Sequence, residues 1–348
     1  MRLFSRETIQ IKSSSFSQSL RGIVYFLLTI PLVFLAAEIV ARSPIGALLP
    51  APSVNADSFL FDAKIYELES QLRRDGNLDC LFLGSSVANS DIDPVVVEQI
   101  YREQTGETIH CFNLGLPAMT IETATAIGDA AIARFHPKVI IYAILPRDVH
   151  DTIANVDYLA KTDWVKFNRG IPSANGWLVN HSYAYRYFIT WRYWLNLPNR
   201  VKMDAETSPL AAKGYQPAPG IRDPYIENLT MTPERLREAW DDPSQAQAVQ
   251  DFLALQQKGV KIVFLEGPSY HGPDASDAET WRAYDEEYLP TLIQILDENQ
   301  IPFWRTQELA IRIPKAQWYD WLHLNSDGAA AFSHWLGEMM AENAWLFE

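Results

Sequence analysis

Two short stretches of this 348-residue chain carry the residue types of nucleophilic chemistry. Asp320-Trp321-Leu322-His323 sets an acid three residues ahead of a histidine, so that the carboxylate can hold the imidazole and leave a base seeking a proton. Gly84-Ser85-Ser86 ends an apolar run and supplies hydroxyls. A serine hydroxyl stays protonated near neutral pH and becomes reactive only when a paired base takes its proton. Each stretch alone also reads as an ordinary turn or a helix cap. What joins them must be the fold.

The elements that would position them alternate. A helix near 63–74 leads into the strand LDCLFLGSS, and DPVVVEQIYREQTG is a helix with Asp93 at its N-cap, Pro94 in its first turn and Gly106 at its end. IHCFNLGL reads as a strand, TIETATAIGDAAIARF as a helix and KVIIYAIL as a buried strand that runs into PRDVHD. Two more helix-then-strand pairs end in VKIVFLEGP and IPFWRT, and a last helix follows His323. This rhythm means an α/β protein whose parallel sheet is covered on both faces. In such sheets ligands bind beyond the carboxyl ends of the strands, where Gly84-Ser85-Ser86, Asn113-Leu114-Gly115 and Pro146-Arg147-Asp148 all fall.

Residues 151–242 break the rhythm and are expected to form a helical, aromatic-rich insertion. Tyr185, Phe188, Trp191 and Trp194, at near-helical spacing, are expected to be its core, with a saccharide or lipid platform as the other reading. Two glycosylation sequons, Asn180-His181-Ser182 and Asn228-Leu229-Thr230, carry little meaning alone. His110, His136 and His334 read as structural, whereas His150 and His271 follow strand ends where substrate contact is open. Metal-ligand and phosphate-loop spacings are absent, so neither a metal nor a cofactor is expected.

The run from Gly22 to Ala41, bookended by Arg21 and Arg42, has the length and apolarity of a membrane-spanning signal anchor. Arg2, Arg6, Lys12 and Arg21 precede it, which puts residues 1–21 in the cytoplasm and everything after the anchor outside. A cleaved signal peptide and a buried core helix are the other readings. A Pro-rich tether, 42–60, would join the anchor to a domain spanning 61–348. The chain carries 29 basic and 43 acidic side chains, a balance that argues against nucleic acid and keeps an acidic body off anionic lipid. Cys80 and Cys111 can be two buried thiols or one disulfide between neighbouring strands.

From Leu78 onward the order of these blocks resembles the SGNH, or GDSL-like, hydrolase superfamily. The resemblance implies a flavodoxin-like three-layer sheet, preceded here by one transmembrane helix. It aligns Gly84-Ser85-Ser86-Val87 with the nucleophile block, making Ser86 the nucleophile, with Ser85 the lesser choice. Asn113-Leu114-Gly115 matches the second block and implies the Gly115 N–H as an oxyanion donor. Asp320 and His323 match the last block in full. The third block departs: Leu145-Pro146-Arg147-Asp148 carries Arg147 where the family has an asparagine donor.

The anchor, the Gly-Ser-Ser turn and the DWLHLN ending are similar to the extracytoplasmic DltD and AlgJ or AlgX relatives. They imply a serine esterase or O-acyltransferase acting on acyl groups of a cell-envelope polysaccharide, beside a membrane-bound O-acyltransferase. Loss of turnover in a glycan-binding or assembly subunit is the alternative, suggested by Arg147 and the aromatic insertion.

Overall fold

The computed structural model describes residues 13–54, 57–150, 157–218, 220, 232–270, 278–306, 309 and 312–348. Arg2, Arg6, Lys12, the 228–230 sequon, His271 and the His150 side chain lie outside the described part. In chain order come α1 (Ser13–Arg42), α2 (Phe59–Asp75), β1 (Cys80–Gly84), α3 (Ser86–Asp91), α4 (Pro94–Thr105), β2 (Cys111–Asn113), α5 (Ile121–Phe135) and β3 (Val139–Ile144). Then follow α6 (Pro146–His150), α7 (Asp163–Asn168), α8 (Ala174–His181), α9 (Tyr183–Trp194), α10 (Leu197–Thr207) and α11 (Pro233–Glu238). The chain ends with α12 (Pro243–Leu253), β4 (Lys261–Glu266), α13 (Ala278–Ala283), α14 (Leu289–Glu298), β5 (Phe303–Trp304) and α15 (Ser326–Glu342).

All strand pairs are parallel, and the sheet order is β2-β1-β3-β4-β5, the flavodoxin-like order. Alternation along each strand divides the core in two. Leu81, Leu83, Ile140, Tyr142, Ile262 and Phe264 pack with α5, α12 and α14 on one face. Phe82, Val139, Ile141, Val263 and Leu265 pack with α4 and α15 on the other. This is the three-layer α/β class the sequence implies.

Local chemistry fixes the ends. Ser58, Asp93, Thr120 and Asn325 accept N-cap bonds for α2, α4, α5 and α15, while Gly76 and Gly106 end α2 and α4 in the left-handed region. The second strand is shorter than IHCFNLGL suggests. Past Asn113, Leu114 N and Leu116 N still donate to Phe82 O and Gly84 O of β1, while the Asn113 side chain bends the chain through bonds to Ala88 O, Ile92 O and Gly115 N. Cys80 and Cys111 are register partners on adjacent strands and are joined in a disulfide.

Val24–Arg42 is long and apolar enough to cross a membrane. Its end is bound to the body: Glu38 accepts bonds from Ser182 Oγ and from the N–H groups of Tyr183 and Ala184, and Arg42 Nη2 donates to His181 O at 2.7 Å. Described residues of 42–60, the stretch read above as a tether, are also hydrogen-bonded to the body. Tyr187 Oη donates to Gly46 O, Ser53 N to Thr190 Oγ1, and Val54 N to Asp62 Oδ1.

The helices of the insertion share the core of the sheet: Trp164, Val165, Val179, Ile189 and Leu236 join the α5 side. Its aromatic stripe is split: Tyr185 packs against the core as expected and Trp194 is half-buried, but the other two rings turn outward. Phe188 is 61% and Trp191 54% exposed, so neither is core. Fully buried Arg186 decides the orientation of α9 through two bonds to Glu69 of α2, at 2.6 and 3.0 Å, and Tyr183 Oη bonds the same carboxylate.

Candidate active site

β1 ends at Gly84 with φ +142°, and a Cβ there would lie 2.5 Å from Ala143 O of β3. Glycine therefore lets the chain leave the sheet edge and turn at once into α3. Ser85 is buried and its hydroxyl donates to Asp148 Oδ2 at 3.3 Å. Ser86, the first residue of α3, is half-buried and faces elsewhere.

Ser86 Oγ lies 2.7 Å from His323 Nε2. His323 Nδ1 in turn is 2.9 and 3.0 Å from the two oxygens of Asp320. The Asp320–His323 turn closes on itself, since Oδ1 of Asp320 also accepts the Leu322 and His323 N–H groups, and the Tyr319 N–H returns to His323 O. Leu324 N donates to Asp91 Oδ1 at 3.0 Å, tying this loop to the end of α3. Two remote segments thus meet edge to edge. Burial works against the Asp320 charge, but the bond and charge of His323 and the two N–H groups outweigh it and hold the carboxyl below its usual range.

The structure brings Ser86, His323 and Asp320 together and sets Asn113, Gly115, Arg147 and Asp148 at the neighbouring strand ends. The Gly115 N–H, expected as an oxyanion donor, donates to Asn113 Oδ1 at 2.9 Å in an Asx turn. A Cβ on Gly115 would lie 2.7 Å from Asn89 N, so glycine is required for close approach to α3. Arg147 Nε is 3.6 Å from Asp148 Oδ1. Asp148, fully buried, also accepts from Leu145 N at 2.9 Å. Burial pushes its pKa up to about 7 against the pull of Arg147 and its hydrogen bonds.

Two buried ionisable groups at the site escape the motifs. Lys64 of α2 is fully buried; its Nζ donates to Asn89 Oδ1 at 2.7 Å and to Gly115 O at 2.6 Å. Burial holds this amine well below the usual lysine range. The signal was present: Lys64 interrupts the apolar stripe Phe61, Ile65, Leu68. Asp91 is buried under the His323 loop, and burial pushes its carboxyl well above the usual range.

A parallel 2-1-3-4-5 sheet, a serine after its first strand and an Asp-x-x-His turn before its last helix form the arrangement the SGNH resemblance implies. No family profile and no curated protein matches the chain. Solved structures do. An α/β hydrolase, LAE5, from the metagenome of Lake Arreo is 12% identical, with 76% of this chain and 95% of that one covered and a TM-score of 0.41. The acetylxylan esterase Axe2 of Geobacillus stearothermophilus is 12% identical, with 76% and 93% covered and a TM-score of 0.40. A GDSL-like lipase from Parabacteroides merdae is 12% identical, with 77% and 96% covered and a TM-score of 0.39. The chain's own geometry, not these likenesses, carries the chemistry.

Proposed function

We propose that this chain is a membrane-anchored, extracytoplasmic serine acyl-ester hydrolase or O-acyltransferase acting on acyl groups of cell-envelope polysaccharide. The observation that carries the enzyme reading is the hydrogen-bonded series Ser86 Oγ, His323 Nε2, His323 Nδ1, Asp320. His323 takes the hydroxyl proton as Ser86 Oγ attacks the ester carbonyl, and Asp320 fixes the tautomer and supports the imidazolium. Collapse of the tetrahedral intermediate expels the alkoxide, which receives the proton from His323, and leaves an acyl-serine. Water as second nucleophile makes the chain an esterase. A sugar hydroxyl makes it a transferase, working beside a membrane-bound O-acyltransferase.

The Ser86 N–H is one oxyanion donor. The Gly115 N–H serves as the second only by sharing its proton between Asn113 Oδ1 and the oxyanion, and Arg147 is the charged group nearest in sequence to the missing asparagine. The location outside the cytoplasm is supported by the apolar helix behind a basic N-terminus and by the Cys80–Cys111 disulfide, since such bonds persist in oxidising compartments.

The engaged Gly115 N–H and the arginine at position 147 favour a second reading, a glycan-binding or assembly subunit without turnover. Fluorophosphonate labelling of the folded full chain separates the two. An adduct on Ser86 that disappears in Ser86→Ala supports the enzyme; folded protein without an adduct rejects the serine mechanism.

A further inference from the structure

Outside α1, thirteen large apolar side chains are exposed among the described residues, and eleven of them fall in 45–49 and 158–201. Only Val95 and Trp345 lie elsewhere, so this is one concentrated surface rather than scattered exposure. Its leading members are Ile45 and Leu48 just past α1, Trp177 on α8, Phe188 and Trp191 on α9, and Leu195. On α9, positions 188, 191 and 195 share one face, opposite buried Arg186 and Thr190.

Charge follows the same boundary. From Trp164 to Met203 the chain has forty residues and no Asp or Glu, although 43 acids in 348 residues is about five in every forty. The stretch holds six basic residues, of which Arg169, Arg192, Arg200 and Lys202 are exposed. An acidic body therefore carries one acid-poor, basic and aromatic stretch, bounded at the end of α10 by Asp204 and Glu206, the latter 3.6 Å from Lys202, and the net charge of the whole chain hides it.

The location of that face selects its occupant. Glu38 and Arg42, in the last turns of α1, are bonded to the α8–α9 junction, and Arg42 lies 4.8 Å over the Tyr183 ring. Trp177 stacks on His181, whose carbonyl accepts from Arg42. Where α1 leaves a bilayer, this junction is at the lipid headgroups, the depth at which tryptophan and tyrosine rings and basic side chains are favoured.

Resting on the anchor reading above, we propose that residues 45–49 and the exposed faces of α8, α9 and the start of α10 lie in the headgroup layer of the membrane that α1 crosses. Anionic lipid is the favoured contact. The body is then pressed onto the bilayer in one orientation instead of swinging on a tether.

The test uses the full chain reconstituted in phosphatidylcholine–phosphatidylglycerol vesicles, with an environment-sensitive fluorophore on one introduced cysteine; the native cysteines are paired. Trp191→Cys probes the face, Phe188→Cys repeats it, Leu32→Cys reports on the anchor, and Glu103→Cys on α4 lies across the sheet. Lipids brominated near the headgroup should remove most of the emission at 191 and 188 and spare 103, while chain-brominated lipids quench at 32. Quenching at 32 with none at 191 or 188 overturns the proposal and leaves the anchor standing. No quenching at 32 overturns both. A label at 191 that is shielded from aqueous iodide yet unquenched by brominated lipid means a protein covers the face, which also overturns the lipid assignment.

Discussion

Ser86 and His323 stand 237 positions apart in the chain, yet their Oγ and Nε2 atoms lie 2.7 Å apart. That separation is within the range for a base accepting a hydroxyl proton. Ser86→Ala should lower kcat on a simple acetyl ester by at least about 10⁴-fold. Asp320→Asn should cost about 10⁴-fold, because the tautomer is no longer held. Ser85→Ala should keep most of the rate, since the Ser85 hydroxyl is directed at Asp148. Equal losses at 85 and 86, measured with fold checked by circular dichroism, would contradict this assignment.

Lys64 is predicted to be a positioning residue. Its Nζ donates to the two acceptors it meets, Asn89 Oδ1 and Gly115 O. Lys64→Met fills the volume but strands both acceptors, costing about 2–4 kcal/mol in chemical unfolding. The linkage has a definite sign. A lysine whose folded pKa is depressed binds its proton less than the unfolded chain does, so stability rises with pH up to the unfolded value near 10.5. Relative to Lys64→Met, the wild type should therefore gain stability as pH rises toward the unfolded lysine value. Activity that falls through kcat with KM unchanged would mark a disturbed Gly115 rather than a lost binding contact.

The fold and the site were legible in the sequence to different depths. Alternation of apolar runs with capped helices gave the parallel sheet, because burial on both faces makes strands continuously apolar and Asp93, Pro94 and Gly106 mark a helix by local chemistry alone. A serine of Gly84-Ser85-Ser86 and the Asp320–His323 pair could be singled out because they sit at a strand end and before a capped helix; the choice of Ser86 over Ser85 rests on the SGNH resemblance. Side-chain competition could not be read. Nothing in Asn113-Leu114-Gly115 says that the Asn113 oxygen reaches the Gly115 N–H first. Periodicity on α9 separates two faces but not inside from outside; Arg186 goes in because Glu69, 117 positions away, receives it.

Asp148 predicts a pH effect on stability. Its folded pKa of about 7 stands above the unfolded value near 3.9, so between these pH values the unfolded chain has released a proton that the folded chain keeps. Stability from this group is complete below about pH 4 and is lost as pH rises through about 7. Asp148→Asn cannot ionise and retains an acceptor for Leu145 N and Ser85 Oγ. Compared with wild type, the variant should become progressively more stable from pH 4.5 to pH 7.5 in urea titrations of the detergent-solubilised chain. Parallel curves for the two proteins would show that the Arg147 guanidinium compensates the buried charge fully.

The Cys80–Cys111 bond closes a separation of 31 residues between β1 and β2, the edge pair of the sheet. β2 is three residues long and forms its ladder with β1 alone, at the edge of the sheet. By the chain-entropy argument, cross-linking over this interval limits the unfolded state by about 3–4 kcal/mol. The double variant Cys80→Ser, Cys111→Ser should therefore lose about that much stability in urea unfolding, with hydrogen exchange rising first in β2. Because β2 delivers Asn113 and Gly115 to the site, loosening it should also lower kcat before global unfolding begins. A variant that keeps wild-type exchange in β2 would mean that the Asn113 bonds to Ala88 O and Ile92 O, rather than the disulfide, fasten this strand.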